Sequence, residues 1–203
     1  MLVIRYSKTD GAEFISHLDT LRHLQKILIR AKVPVGYSKG YNPHISMYMS
    51  APLGVGITSR AEYCAIETEF PAEKFIELFN RYAPSGFKCL FAVNTRKKVN
   101  LQADMNSAEY LIEGVNDFDF DEVLNEKEFF VPDKKGGQKN VRDRILNLKK
   151  CDNGIIALLS FGNSTLRPDV FGYKLIELYG GSDLTVVKLN AFINGVKPEE
   201  AVI

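Results

Sequence analysis

The sequence predicts an α+β protein built of two tandem ferredoxin-like modules (βαββαβ), each an antiparallel sheet with helices on one face. Three observations predict it. The order strand, helix, strand, strand, helix, strand reads off residues 1–96, and again off 104–203 with one extra or split strand. A chain of 203 residues accommodates two such modules. At 45 % hydrophobic and 25 % charged residues, it has the apolar surface for a core and is too apolar for wholesale disorder. The repeat is one of topology only, and a single α+β domain with a larger sheet is the alternative.

The elements follow in order. Residues 2–7 read as a strand, and Thr9-Asp10-Gly11 as a turn. Phe14-Ile15 suits a short extension. Ser16 with Asp19 three positions on forms a capping box, and Leu18, Leu21, Leu24, Leu28 and Ala31 recur at helical spacing over 17–32. Val33-Pro34 ends that helix. A glycine-bearing polar loop, 36–44, precedes strands at 45–51 and 60–69. Pro71 starts a helix carrying Phe75, Phe79 and Tyr82, and Cys89 to Val93 reads as a strand. Residues 96–106 look like a polar linker. A strand at 108–115 and a short helix near 118–126 come next. Strands at 128–132, 143–149 and 154–161 follow, with a mobile-looking loop at 133–140. A helix at 168–179 starts at Pro168 and stops at Gly180, and a last strand covers 184–193.

Several function classes are excluded. Cys64, Cys89 and Cys151 are odd in number and far apart, so zinc-ribbon, thioredoxin-like and iron–sulfur chemistry lack their grouped thiolates. Cys64 and Cys89 fall in apolar runs and read as buried free thiols. His17 and His23 are not at metal-ligand spacing, and Gly54-Val55-Gly56 is followed by a strand, which argues against a dinucleotide site. No metal or cofactor is expected. No apolar run approaches the roughly 18 residues of a membrane helix, and the first residues lack the core of a signal peptide, so no membrane contact and a cytoplasmic location are expected.

The net charge of +1 conceals a pattern. Residues 1–50 hold seven Lys/Arg against three Asp/Glu, 104–128 hold nine acids against one Lys, and 134–150 hold seven Lys/Arg against one Asp. On the first helix Asp19, Arg22, His23, Lys26 and Arg30 share a face away from the leucines. Cations so arranged suit a phosphate backbone, and equally a solvated helix face. The loop adds Tyr37, Ser38, Lys39, Tyr41, Asn42 and His44, a mixture that stacks bases and grips phosphates, or simply makes a turn. Lys134, Lys135, Lys139, Arg142 and Arg144 form a second, weaker basic stretch. Pro168 and Asp169 suit a helix start, whereas Arg167 is less expected there and is a candidate to point to an anion.

The run Phe14-Ile15-Ser16-His17-Leu18-Asp19, then Arg22, Arg30-Ala31, Pro34, Tyr37-Ser38-Lys39-Gly40-Tyr41-Asn42-Pro43-His44, Ala51-Pro52-Leu53-Gly54-Val55-Gly56 and Ser59-Arg60-Ala61-Glu62-Tyr63 resembles the radical SAM-linked protein family, a bacterial domain of unknown function. The match is dense over residues 1–70 and thinner later, where Leu166-Arg167-Pro168-Asp169 fits. The resemblance implies a domain fused to, or encoded beside, a radical SAM protein, with an E/G-type endoribonuclease often encoded nearby. It therefore implies an accessory role in RNA processing or modification. This chain lacks the three closely spaced cysteines of a radical SAM cluster, so it is not the radical enzyme.

The leading expectation is an RNA-binding module that presents substrate to a radical SAM partner, with Arg22, Lys26, Arg30, Tyr37, Ser38, Lys39, Tyr41, Asn42, His44 and Arg167 on the RNA. One alternative is a metal-independent endoribonuclease using His17 and His44 as base and acid. Another is a protein-interaction module docking on the radical SAM protein. A small-molecule enzyme using Asp19 and Glu62 ranks last, since Asp19 suits a helix cap and Glu62 an ion pair with a nearby arginine.

Overall fold

A computed structural model describes residues 1–133 and 136–202. Strand β1 (Leu2–Lys8) is followed by a 3-10 turn (Ala12–Phe14), α1 (His17–Arg30), β2 (Met47–Met49), β3 (Thr58–Ile66), α2 (Ala72–Tyr82) and β4 (Phe87–Asn94). A short α3 (Leu101–Asp104) leads to β5 (Ser107–Val115), α4 (Phe120–Leu124), β6 (Phe130–Pro132), β7 (Gln138–Asn140) and β8 (Ile145–Cys151). Then come β9 (Gly154–Ser160), α5 (Pro168–Tyr179), β10 (Gly181–Phe192) and α6 (Pro198–Ala201).

The two halves do not form separate sheets. One 8-stranded, mostly antiparallel sheet runs β4-β1-β3-β10-β5-β9-β8, with β2 on β3. Each half contributes four of its strands in the order fourth, first, third, second. Strands β2 and β10 share one edge of β3: β2 pairs with Cys64–Ile66, and β10 runs parallel to Thr58 and Ser59. That two-residue parallel seam is the only strand pairing between the halves among the described residues. The predicted strand at 128–132 and the end of the loop at 133–140 pair as a separate hairpin, β6 with β7.

Register fixes the faces, because directly opposed residues point the same way. Leu2, Ile4 and Tyr6 lie opposite Ile66, Cys64 and Glu62. This face meets Leu24, Ile27 and Leu28 of α1 and Phe75 and Phe79 of α2 in one buried cluster. Leu18, predicted in the buried stripe, is 63 % exposed; Thr20 and Ile27 take the inward positions instead. In the second half α5 brings Gly172 against Ile112 and Leu184, near enough that a Cβ would collide with the Leu184 methyl at 2.7 Å. Ile112 shares its face with Tyr110, Lys188 and Ser59 through the pairing register, so α5 lies on the same side as α1 and α2.

The expected linker is part of the core. Val99, Leu101 and Met105 are buried beneath the other face of the first half, beside Val3, Tyr63 and Ala65. There α6 closes the structure: Glu199 accepts from the Tyr63 hydroxyl at 2.7 Å and pairs with Arg5 at 2.9 Å. Among the described residues, no helix is long and apolar enough to cross a membrane.

Candidate nucleic-acid interface

Helix α1 is positioned from its first turn. The Ser16 hydroxyl accepts the Asp19 N–H at 3.1 Å and donates to the Asp19 carboxylate at 2.8 Å. That hydrogen bond, and then the Arg22 guanidinium 2.8 Å away, hold the Asp19 carboxyl below its ordinary range. The Lys8 ammonium donates to the Ile15 carbonyl at 2.6 Å and so ties the helix entrance to the end of β1. Arg22, Lys26 and Arg30 are all exposed, as predicted from the helical spacing. Arg22 is engaged by Asp19, whereas Lys26 and Arg30 have no ion pair among the described residues. His23 turns inward to stack on Phe87, ring centroids 5.8 Å apart.

The loop that follows is an ordered hairpin. Gly36 donates its N–H to the Glu67 carbonyl at 2.7 Å and receives the Ser46 N–H at 2.9 Å. A Cβ at Gly36 would lie 3.0 Å from the Glu67 side chain, so a larger residue there would have to push Glu67 back by a few tenths of an ångström. Tyr37 pairs with Ile45. Ser38 donates its N–H to the His44 carbonyl at 2.8 Å, and its hydroxyl accepts the His44 N–H at 2.9 Å. Ser38 thus fastens the hairpin. Lys39, Tyr41, Asn42 and His44 stand exposed at its tip, and Tyr41 makes no shielding contact at all, at 108 % relative exposure.

The two histidines do not converge. His17 opens α1 beside the Lys8 and Ser59 end of β3, while the hairpin base is bonded to Glu67 beyond the other end. Eight residue steps along β3 at about 3.3 Å each separate those ends by roughly 26 Å. Arg167, a candidate for an anion contact, forks onto Asp169 two residues away and remains 54 % exposed. Of the second basic stretch, Lys134 and Lys135 lie outside the described residues and Lys139 is exposed on β7. Arg142 donates to the Leu124 and Ile145 carbonyls and Arg144 to the Thr165 carbonyl, so both arginines fasten backbone.

A buried polar group at the seam went unread in the sequence. Glu62 pairs with Lys188, not with an arginine, at 3.0 Å, and accepts from the Ser59 hydroxyl at 2.8 Å. The Lys188 ammonium also sits 4.1 Å from the Phe161 ring centre. Tyr6 and Tyr110 share this face, and their hydroxyls have no hydrogen-bond partner among the described residues. Burial, reinforced by the Glu62 charge, drives both phenols to titrate well above the usual tyrosine range. The partner on which Glu62 depends lies 126 residues away, which is why local patterns carried no sign of it. Among the described residues no group of three or more His, Cys, Asp or Glu side chains is placed to hold a metal ion.

The chain resembles several solved structures over its whole length and about half of theirs. They are a Cbf5–Nop10–Gar1 complex (TM-score 0.48, 11 % identity, 100 % of this chain and 51 % of that one) and an archaeal box H/ACA sRNP Nop10–Cbf5 complex (0.47, 11 %, 100 % and 50 %). A third is an H/ACA RNP bound to a substrate RNA containing 2′-deoxyuridine (0.47, 10 %, 100 % and 50 %). No curated protein matches the sequence. A family model matches residues 1–168, a span that contains α1, the hairpin and the Glu62 strand, and by that match the chain belongs to the uncharacterized proteins conserved in bacteria grouped as DUF2344.

Proposed function

We propose that this protein is a non-catalytic, cytoplasmic RNA-binding module, built of two ferredoxin-like units fused through one sheet, that presents RNA to a radical SAM partner. The observation that carries the RNA reading is the hairpin tip. A wholly exposed tyrosine on a hydrogen-bonded hairpin contributes nothing to the core, yet its ring is held out beside Lys39, Asn42 and His44. Such a ring is a stacking platform for an unpaired base, and its neighbours supply a phosphate contact and base-edge hydrogen bonds. Lys26 and Arg30 continue the cationic surface along α1. The matched strand order of the two halves supports the ferredoxin-like reading. The radical SAM partner rests on the sequence resemblance.

Binding is favoured over cleavage because the entrance of α1, with His17, and the base of the hairpin that holds His44 are tied near opposite ends of β3, roughly 26 Å of strand apart. An acid and a base must both reach one phosphate. The test is fluorescence anisotropy with a labelled 12-nucleotide single-stranded RNA across a salt series. The wild-type protein should bind with an affinity that falls as salt rises. Tyr41→Ala should weaken binding by about tenfold, the loss of one base stack, with an unchanged melting temperature. Salt-insensitive or absent binding would sink the proposal.

A further inference from the structure

On the side of the sheet away from α1 and α2, a cleft of about 700 Å³ opens between β2 and the connection from β4 to α3. Tyr48 lines it, in register with Ala65 and therefore on the face opposite the helices. Glu67, Arg96, Lys98, Asn100 and Asp104 line it as well. Its two acids are engaged locally. Glu67 accepts from the Tyr48 hydroxyl at 3.0 Å, and Asp104 accepts the Asn100 N–H at 3.0 Å. Arg96 and Lys98 are exposed and have no ion pair among the described residues. The cleft is continuous with the hairpin, because Glu67 is the residue on which the hairpin base is hydrogen-bonded. An aromatic ring with two cations outside any ion pair thus adjoins the base of the hairpin that carries the stacking tip.

We infer that this cleft is a second subsite for single-stranded RNA, taking the nucleotides next to those on the hairpin, with Tyr48 stacking a base and Arg96 and Lys98 holding phosphates. The inference rests on the RNA-binding reading and extends it to the other side of the sheet. The Tyr48 hydroxyl bond to Glu67 anchors the far end of the side chain, and the residue remains 45 % exposed. A strand leaving the tip passes Glu67 before it reaches the two cations, so one continuous single strand fits both places.

The experiment uses the full chain and a 12-nucleotide oligouridine carrying 4-thiouridine. Photocrosslinks are mapped by mass spectrometry, and anisotropy is measured across salt. Crosslinks should fall in the peptides holding Tyr48 or residues 96–98 as well as in 37–44. Arg96→Ala/Lys98→Ala should lower the slope of log affinity against log salt by about 1.4, two single-strand phosphate contacts. Tyr48→Leu should weaken binding by about tenfold and Tyr48→Phe by less than about twofold. Crosslinks confined to 37–44, with the double variant keeping the wild-type slope, would overturn the cleft while leaving the hairpin reading intact, provided Tyr41→Ala still binds weakly. Failure of the wild-type protein to bind would remove both. Displacement of the RNA by poly-glutamate of equal charge as readily as by unlabelled oligouridine would assign the cleft to acidic peptide instead.

Discussion

A carboxylate taken out of water needs a counter-charge and hydrogen bonds, and Glu62 has both in Lys188 and Ser59. Removing one partner leaves the other charged and dry. Lys188→Met should therefore cost about 3–5 kcal/mol of stability, read as a shift of the urea midpoint by circular dichroism. Glu62→Leu/Lys188→Met should recover most of that loss; a single variant costing under about 1 kcal/mol would show the pair to be of little consequence. The buried thiols and phenols act through pH. Burial pushes Cys64 and Cys89 from 9.0 up to about 12, and raises Tyr6, Tyr63 and Tyr110 above 10.0. The unfolded chain loses these protons first, so it binds fewer than the folded one and stability falls as pH rises above about 9. Burial lowers Lys8, which works weakly in the opposite sense. Melting temperature should hold between pH 7 and 9 and drop steeply by pH 11, and Cys64→Ala should blunt the drop.

Among the elements, α1 carries the most testable charge. Asp19 braces the Ser16 cap and also occupies Arg22, so Asp19→Asn should free the guanidinium and tighten RNA binding by about two- to fivefold in low salt, with little change in helix content. An unchanged affinity would show that Arg22 stays off the RNA. This helix was legible because its signals are local: Ser16 and Asp19 mark its start, and the outward cations follow from spacing alone. Helix α5 runs from Pro168 to Tyr179 as predicted, for the same reason. Elements set by distant partners were not legible. Residues 99–105 read as linker because a four-residue helix has no measurable period, yet Leu101 is buried by strands it packs beneath. Helix α6 has its place fixed by Arg5 and Tyr63, far back in the chain. Likewise the exposure of the hairpin residues could be read from composition. The separation of His17 from His44 could not, since it depends on which end of β3 each loop is tied to.

At the scale of the whole molecule, the two halves share a sheet and a core. Val3, Tyr63 and Ala65 of the first half belong to one buried cluster with Tyr110, Leu159 and Phe171 of the second. Urea unfolding followed by far-ultraviolet circular dichroism and by tyrosine fluorescence should therefore give coincident single transitions. Two resolved transitions would mean that the halves are energetically separate despite the seam. The seam also orders events during synthesis. When the first half has emerged from the ribosome, the Thr58 end of β3 is an open strand edge beside a carboxylate that still lacks its Lys188 partner. Lys188 is translated 126 residues after Glu62. At about 5–20 residues per second, the nascent chain spends roughly 6–25 s with that edge uncapped. Throughout that interval another nascent chain can pair with it, so overproduction at high ribosome density should favour aggregates seeded by the N-terminal half.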